Sequence, residues 1–384
     1  MAASLHFPPV GNGDMTLIKL DNGQTFLIDC NIRQKADDEN DETFDVAEWL
    51  RGELDRDEEG RLYVDGFLNS HPDQDHISGL RKHFHLGRPD DWSEDDNKIL
   101  IGELFSSPIV FRRASADHTL CADAKAWNKE AKRRIAVFRD NGEADHGDRI
   151  RVLGEDEDGK TDDLGAILTC VTETFDMLNG EAASFDALLH APLPIEDEDD
   201  EECLSKNNSS VVVRMAVHAG GSDDACLFLT GGDSEVLIWE RIWEREEGST
   251  DRLDYDVLQT PHHCSWRSMS HDSWSDLGEE AEVSEAALDA LSQARNGALI
   301  IASSKPIKDE DADPPSVRAK REYEAIADDV GGAFKCVGEE PDEVNPDVLV
   351  IDIAATGPKL RARKSKRTSA AFAGVTGKLP HGAR

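Results

Sequence analysis

Apolar and polar positions alternate along most of the first thirty residues. Ser4–Pro8 is a short extended run, and Gly11-Asn12-Gly13-Asp14 is a turn, since glycine tolerates the positive φ that tight turns need. Met15–Leu20 and Thr25–Asp29 alternate on either side of Asp21-Asn22-Gly23, which is the pattern of a β-hairpin. An acidic loop at 37–42 leads into helical periodicity over Phe44–Leu54. Asp65–Ser70 reads as a strand that runs into His71-Pro72-Asp73-Gln74-Asp75-His76, with a helix starting near Ile77. Pro72 has no N–H for a ladder, so this motif falls in a loop at the strand's C-terminal end.

Farther along, the pattern predicts helix over Ala116–Asp140, strands over Ser209–Val217 and Ala225–Thr230, and helix over Ser234–Glu246. Strand Asp256–Thr260, helix Glu285–Ala294, strand Leu299–Ser303, helix Ser316–Ala327 and strand Val348–Ala354 follow. Strands in both halves with helices between them fit two packed sheets flanked by helices better than a doubly wound parallel sheet. There is no internal repeat. Residues 1–357 read as one α+β domain with acidic loop insertions near 37–42 and 196–202. Residues 358–384 are rich in Lys, Arg, Ser, Ala and Gly without apolar periodicity, so they read as a disordered basic tail.

Composition narrows the function classes. A chain of 384 residues can bury a substantial core, and its 38% hydrophobic content is lean but above that of a disordered chain. The formal net charge is −38; residues 359–384 contribute +8, which leaves −46 on the body. Such a body repels polyanions at long range and argues against a steered, tight grip on duplex DNA. Lys125, Lys129, Lys132, Arg133, Arg134 and Arg139 would form a basic face on the 116–140 helix, either a solvated surface or one that meets an anionic substrate. Arg112 and Arg113 add to that local patch. Seven scattered cysteines with no CxxC pair argue against a disulfide framework or zinc knuckle and for a reducing compartment. Cys170 and Cys226 fall in apolar runs, as small hydrophobes do. No apolar run approaches the roughly 18–20 residues that span a bilayer. The N-terminus lacks a secretory pattern, so a cytoplasmic protein without a membrane partner is expected.

The chemistry concentrates at strand ends. His71, Asp73, Asp75 and His76 place four ligand-type side chains within six residues; alternation would set 71, 73 and 75 on one side of an extended loop. Imidazole with carboxylate suits zinc, manganese or iron. Alone, the motif is equally readable as a solvated acidic loop. Downstream, Thr230-Gly231-Gly232-Asp233 ends an apolar strand with a carboxylate that is either a ligand or a helix cap. Another strand ends in Thr260-Pro261-His262-His263-Cys264-Ser265. Three such clusters in this order converge on one edge of a sandwich.

With these motifs, the chain resembles the metallo-β-lactamase superfamily, and specifically soluble relatives of the ComEC-type competence hydrolase domain. The resemblance also rests on Val10-Gly11-Asn12-Gly13-Asp14, Ser70 through Gly79, and Asn207-Asn208-Ser209-Ser210-Val211-Val212, and it spans roughly residues 4–355. It implies a four-layer αββα sandwich holding two divalent ions, Zn2+ or Mn2+. His71 and Asp73 would bind one ion, Asp75 and His76 the other; Asp233 would bridge them, and His263 (or His262) would complete the second site. Asn207 and Asn208 stand where many members carry a further histidine. Cys264 replaces the glycine that usually follows the histidine pair, and Ser303-Ser304-Lys305 with Asp313-Pro314-Pro315 replaces a late Asn…Gly-His-Pro element.

Two cations about 3.5–4 Å apart lower the pKa of a shared water and stabilise the charge that develops on the attacked group. Asp75 is the expected base or orienter of that water, and His262, where it is not a ligand, the acid for the leaving group. Asn207, Asn208, Ser265 and Lys305 are expected substrate contacts. Carboxylate at position 73 hardens the site toward phosphate esters. The expected function is a phosphodiesterase or nuclease acting on single-stranded nucleic acid or nucleotides. The alternatives are an acyl hydrolase of lactamase or thioesterase type and a non-catalytic metal-binding module of a defence or signalling assembly. The protein partners of such an assembly are not legible in the sequence.

Overall fold

The computed structural model describes residues 2–37, 41–111, 120–155, 159–194, 204, 206–308 and 313–362. The opening alternation becomes β1 (Ala3–Phe7), β2 (Thr16–Lys19) and β3 (Thr25–Ile28), which pair antiparallel in sequence. The two-residue β4 (Cys30–Asn31) bridges to Ile77 and Ser78. Beyond β3 the sheet turns parallel through β5 (Tyr63–Asn69), β6 (Leu100–Ser106), β7 (Arg149–Leu153) and β8 (Leu168–Thr169).

The second sheet repeats this plan. β9 (Thr174–Leu178), β10 (Glu181–Ala191), β11 (Val212–Ala219) and β12 (Ser222–Thr230) are antiparallel. β13 (Tyr255–Gln259), β14 (Ala294–Ala302) and β15 (Ala333–Cys336) are parallel. The chain then returns to the first sheet: β16 (Leu349–Ala354) pairs with β1, and β17 (Gly357–Leu360) closes that edge.

Period-two alternation sorts the side chains into layers. Phe26 and Ile28 enter the apolar layer between the sheets, while Leu27 joins the layer on the outer face. Phe228 points inward and Leu229 outward in the same way. The inter-sheet layer holds Phe26 and Phe105 edge to face at 5.0 Å, and Phe7 against Phe228 at 6.1 Å. Helices cover both outer faces, as sheets apolar on two sides require. Val46 and Leu50 of helix Val46–Glu53 and Trp127 and Ile135 of helix Ala122–Asn141 pack on the first sheet. Ile238, Trp239 and Ile242 of helix Val236–Glu246, with helices Glu285–Leu291 and Val317–Asp329, pack on the second. The two-sheet sandwich with flanking helices is therefore present.

Several details depart from expectation. Residues 74–77 form a helical turn, so Asp75 projects from that turn rather than from an alternating loop, while His76 turns in from a helix start as expected. The helix expected to run to Ala294 stops at Leu291, and Ala294 already belongs to β14. The ladder continues past Gly357 to Leu360, and Arg361 pairs with Asp352, so the expected tail begins later. Half of the basic helix face is committed: Arg133 meets Glu130 and Asp148, the buried Arg134 meets Glu130, and Arg139 meets Asp163. Arg112, Arg113, the acidic run 196–202 and the tail beyond 362 lie outside the described residues. Among the described residues, no helix is long and apolar enough to cross a membrane.

Candidate metal centre

Strand ends of both sheets converge on one edge of the sandwich. β3 runs into Asp29, β5 into Ser70 and the 71–76 segment, β12 into Asp233 and β13 into the histidine pair; Asp14 precedes β2. A strand fixes the position of its last residue through the ladder, so side chains just beyond such ends are held firmly. His71, His76, Asp233 and His263 are buried, whereas the Asp75 side chain is 42% exposed.

Asp233 is the hub. Its Oδ1 stands 2.9 Å from His76 Nε2 and 3.3 Å from His263 Nε2; its Oδ2 stands 3.6 Å from His71 Nε2 and 3.7 Å from His262 Nε2. Asp75 Oδ2 lies 3.4 Å from His263 Nε2, and Asp73 Oδ2 lies 4.0 Å from His71 Nε2. His76 Nε2 and His263 Nε2 approach to 3.3 Å. The two adjacent histidines diverge because His262, His263 and Cys264 all take left-handed backbone (φ 50, 54 and 70), which turns the rings 77° apart. Three such non-glycine residues in a row store strain, a feature that concentrates at functional sites.

A second rank of groups aims the imidazoles. His76 Nδ1 lies 2.8 Å from Asp29 Oδ2, and Asp29 is itself held by donors from Asn69 Nδ2, Ser70 N and Ser70 Oγ. His263 Nδ1 lies 3.2 Å from Asp14 Oδ1. Each ring thus turns one nitrogen to a buried carboxylate and the other to the centre, the arrangement that fixes metal-ligating histidines.

Charge follows the same geometry. Burial opposes protonation of His76, but Asp233 and Asp29 outweigh it and hold its pKa well above the ordinary value. Burial likewise opposes charge on His263, and Asp233 and Asp14 raise its pKa to about 10. Burial would raise Asp233, yet His76, His263 and His71 keep it well below the usual carboxylate range. Burial and then His76 push His71 down.

The donors fit a divalent cation. Asp14, His76, Asp233 and His263 offer ligand atoms that all lie within 4.8 Å of one another. His71 Nε2 is buried without a hydrogen bond. Such an orphan costs about 1–3 kcal/mol, and a cation between it and Asp233 would satisfy it.

Of the residues expected from the sequence, His71, Asp73, Asp75, His76, Asp233, His262 and His263 are brought together. Asp233 does not cap a helix: the following helix has Glu235 at its N-cap. Asn207 Nδ2 donates to Glu235 Oε1 and Asn208 Oδ1 accepts from Glu235 N, so both brace the loop beside His262 rather than face the centre. Ser265 is fully buried with its hydroxyl on Asp313. The exposed Lys305 sits on the 11–14 turn through its N–H to Asn12 Oδ1. Sequence reasoning missed Asp14 and Asp29 as members of the site. Asp29 carried the same signal as Asp233, a carboxylate where an apolar strand stops.

No protein-family model matches the chain, and no curated protein sequence does. Among solved structures it is similar to Igni18, a metallo hydrolase from the hyperthermophilic archaeon Ignicoccus hospitalis. The match is 10% identical, covers 91% of this chain and 98% of that one, and has a TM-score of 0.33, too loose for any argument to rest on it.

Proposed function

We propose that the chain is a metal-dependent hydrolase of phosphodiesters with a metallo-β-lactamase-like site for two divalent cations, Zn2+ or Mn2+. The observation that carries this reading is Asp233, a buried carboxylate whose two oxygens each face a separate pair of imidazoles. His76, His263 and Asp75 with Asp233 Oδ1 would hold one cation; His71, Asp73 and His262 with Asp233 Oδ2 would hold the other. His262 thereby supplies the imidazole that Asn207 and Asn208 do not, and its expected role as leaving-group acid is set aside.

Cations held there would acidify a water and offset charge on the phosphoryl oxygens. The chain's own groups do the rest. Asp75, partly exposed at the edge of the centre, orients the attacking water and takes its proton. Water's oxygen bonds to phosphorus, one ester P–O bond breaks, and the departing alkoxide is protonated from solvent. Asp29 and Asp14 keep His76 and His263 in place throughout. Three carboxylates among the donors make the site hard, which favours oxygen-rich phosphate over the softer partners of an all-nitrogen site.

The test is a substrate panel with Mn2+ or Zn2+ added to metal-free protein: bis-p-nitrophenyl phosphate, single-stranded DNA, RNA and nitrocefin. Metal-dependent cleavage of the phosphate esters is expected. Cleavage of nitrocefin alone would make the chain an acyl hydrolase, and bound metal with every substrate untouched would make it a non-catalytic module.

A further inference from the structure

The Gly11–Asp14 turn is unused by the chemistry above except at Asp14, and it forms part of a groove of about 1050 Å3 that opens against Asp75. Arg33, Arg81 and Lys82 line that groove together with two carboxylates, Asp75 and Asp123. Asp123 is engaged already: it accepts from Arg81 Nε at 2.6 Å and from the backbone N–H groups of Gly79 and Arg81. Asp75 would be neutralised by the cation it helps to hold. A loaded centre therefore faces a groove of net positive charge, on a chain whose formal charge is −38. Such local reversal is what admits an anion to a surface that repels it elsewhere.

The turn lies between Arg33 and the edge of the centre. Gly11 (φ +81) has bare backbone against the Arg33 guanidinium, where a Cβ would lie 2.6 Å from Nη1. Two residues on, Gly13 packs on the Asp75 carbonyl, where a Cβ would lie 2.6 Å from the oxygen. Asp14 N then donates to that carbonyl at 3.2 Å, and the Asp14 carboxylate holds His263. One short turn thus touches Arg33 on one side and Asp75 and His263 on the other. Gly11 and Gly13 lie at most ~7 Å apart along the chain, so the Arg33 and Asp75 contacts fall on one short stretch beside the groove.

Building on the phosphodiesterase reading, we infer that Arg33 on the Gly11–Asp14 turn binds the phosphate next to the one cleaved, so the substrate is an oligonucleotide strand rather than an isolated diester. Guanidinium suits this task because its planar fork meets two phosphate oxygens at once.

The experiment compares wild type with Arg33→Ala and Arg33→Lys on an octathymidylate and on bis-p-nitrophenyl phosphate, which has no second phosphate. Binding of a fluorescein-labelled phosphorothioate octamer, followed by anisotropy, serves as the readout independent of turnover. Arg33→Ala should weaken octamer binding about tenfold or more, raise KM rather than lower kcat, and reduce the preference for octamer over single diester by a similar factor. Arg33→Lys should recover part of the loss. Equal losses on both substrates, or no change in octamer binding, would overturn the subsite while leaving the phosphodiesterase reading intact. Wild-type protein that cleaves no diester under either metal would remove that reading, and the subsite with it.

Discussion

At the scale of single residues, the proposed centre depends on Asp29 and Asp14 as well as on the histidines they face. Removing the charge from a carboxylate behind a metal-ligating histidine costs about 10–100-fold in metal affinity. Asp29→Asn and Asp14→Asn should each weaken Zn2+ binding by that factor, measured by competition with a chelating dye. The raised pKa values of His76 and His263 add a second expectation. The surrounding carboxylates favour a proton on these rings, and a protonated ring must lose one to coordinate a cation. Adding Zn2+ to metal-free protein at pH 7 in weak buffer should therefore release protons; uptake of metal with no acidification would contradict the assignment of these rings as ligands. The seven clustered ligand candidates outside Asp14 and Asp29 were legible as motifs, because they fall in segments that follow apolar strand ends. The division of labour between His262 and His263 was not. It depends on three left-handed backbone conformations that no propensity announces, since residues 262–264 contain no glycine.

Elements bring these residues together by close approach of backbone. Gly232 (φ +50) packs on Ser70, where a Cβ would lie 2.7 Å from Oγ and 2.8 Å from the Ser70 Cβ. Gly232→Ala should thus push the Asp233 loop away from the end of β5, cost on the order of 1–3 kcal/mol and weaken metal binding together with stability. Helix Val236–Glu246 is tied to β10 by a different device. Burial would raise Glu246, but His190 and Arg245 hold its pKa at about 2, and Arg252 Nε adds a contact at 3.0 Å. A carboxylate whose folded pKa lies below the unfolded value of ~4.3 stabilises the fold above that value, and the contribution is lost as pH falls toward the folded pKa. Melting temperatures between pH 6 and pH 2.5 should drop more steeply in wild type than in Glu246→Gln. Parallel slopes would show that this group does not drive the acid transition. The opening hairpin and the later strands were readable because alternation there is clean. β6 was missed because Leu100–Ser106 is buried on both faces and shows no alternation at all. β10 was missed because polar and small residues fill its first half, Glu181–Ser184, where it runs partly exposed.

For the whole molecule, the sandwich explains how a chain with so much negative charge can still assemble a compact centre. Strongly apolar layers lie between and outside the sheets, and most of the described carboxylates lie outside those layers, where salt screens their mutual repulsion over ~8–10 Å. Stability should accordingly rise with ionic strength, read as a higher melting temperature in 0.5 M than in 0.05 M sodium chloride. Cations should raise it further through mass action on the folded state. The central claim is that the edge of this sandwich holds two divalent cations around Asp233. The direct measurement is the number of Zn2+ or Mn2+ equivalents retained per chain after dialysis, for wild type and for Asp233→Asn. Two equivalents in wild type and loss of both in Asp233→Asn are expected; no retained metal in wild type, or retention unaffected by Asp233→Asn, would contradict it.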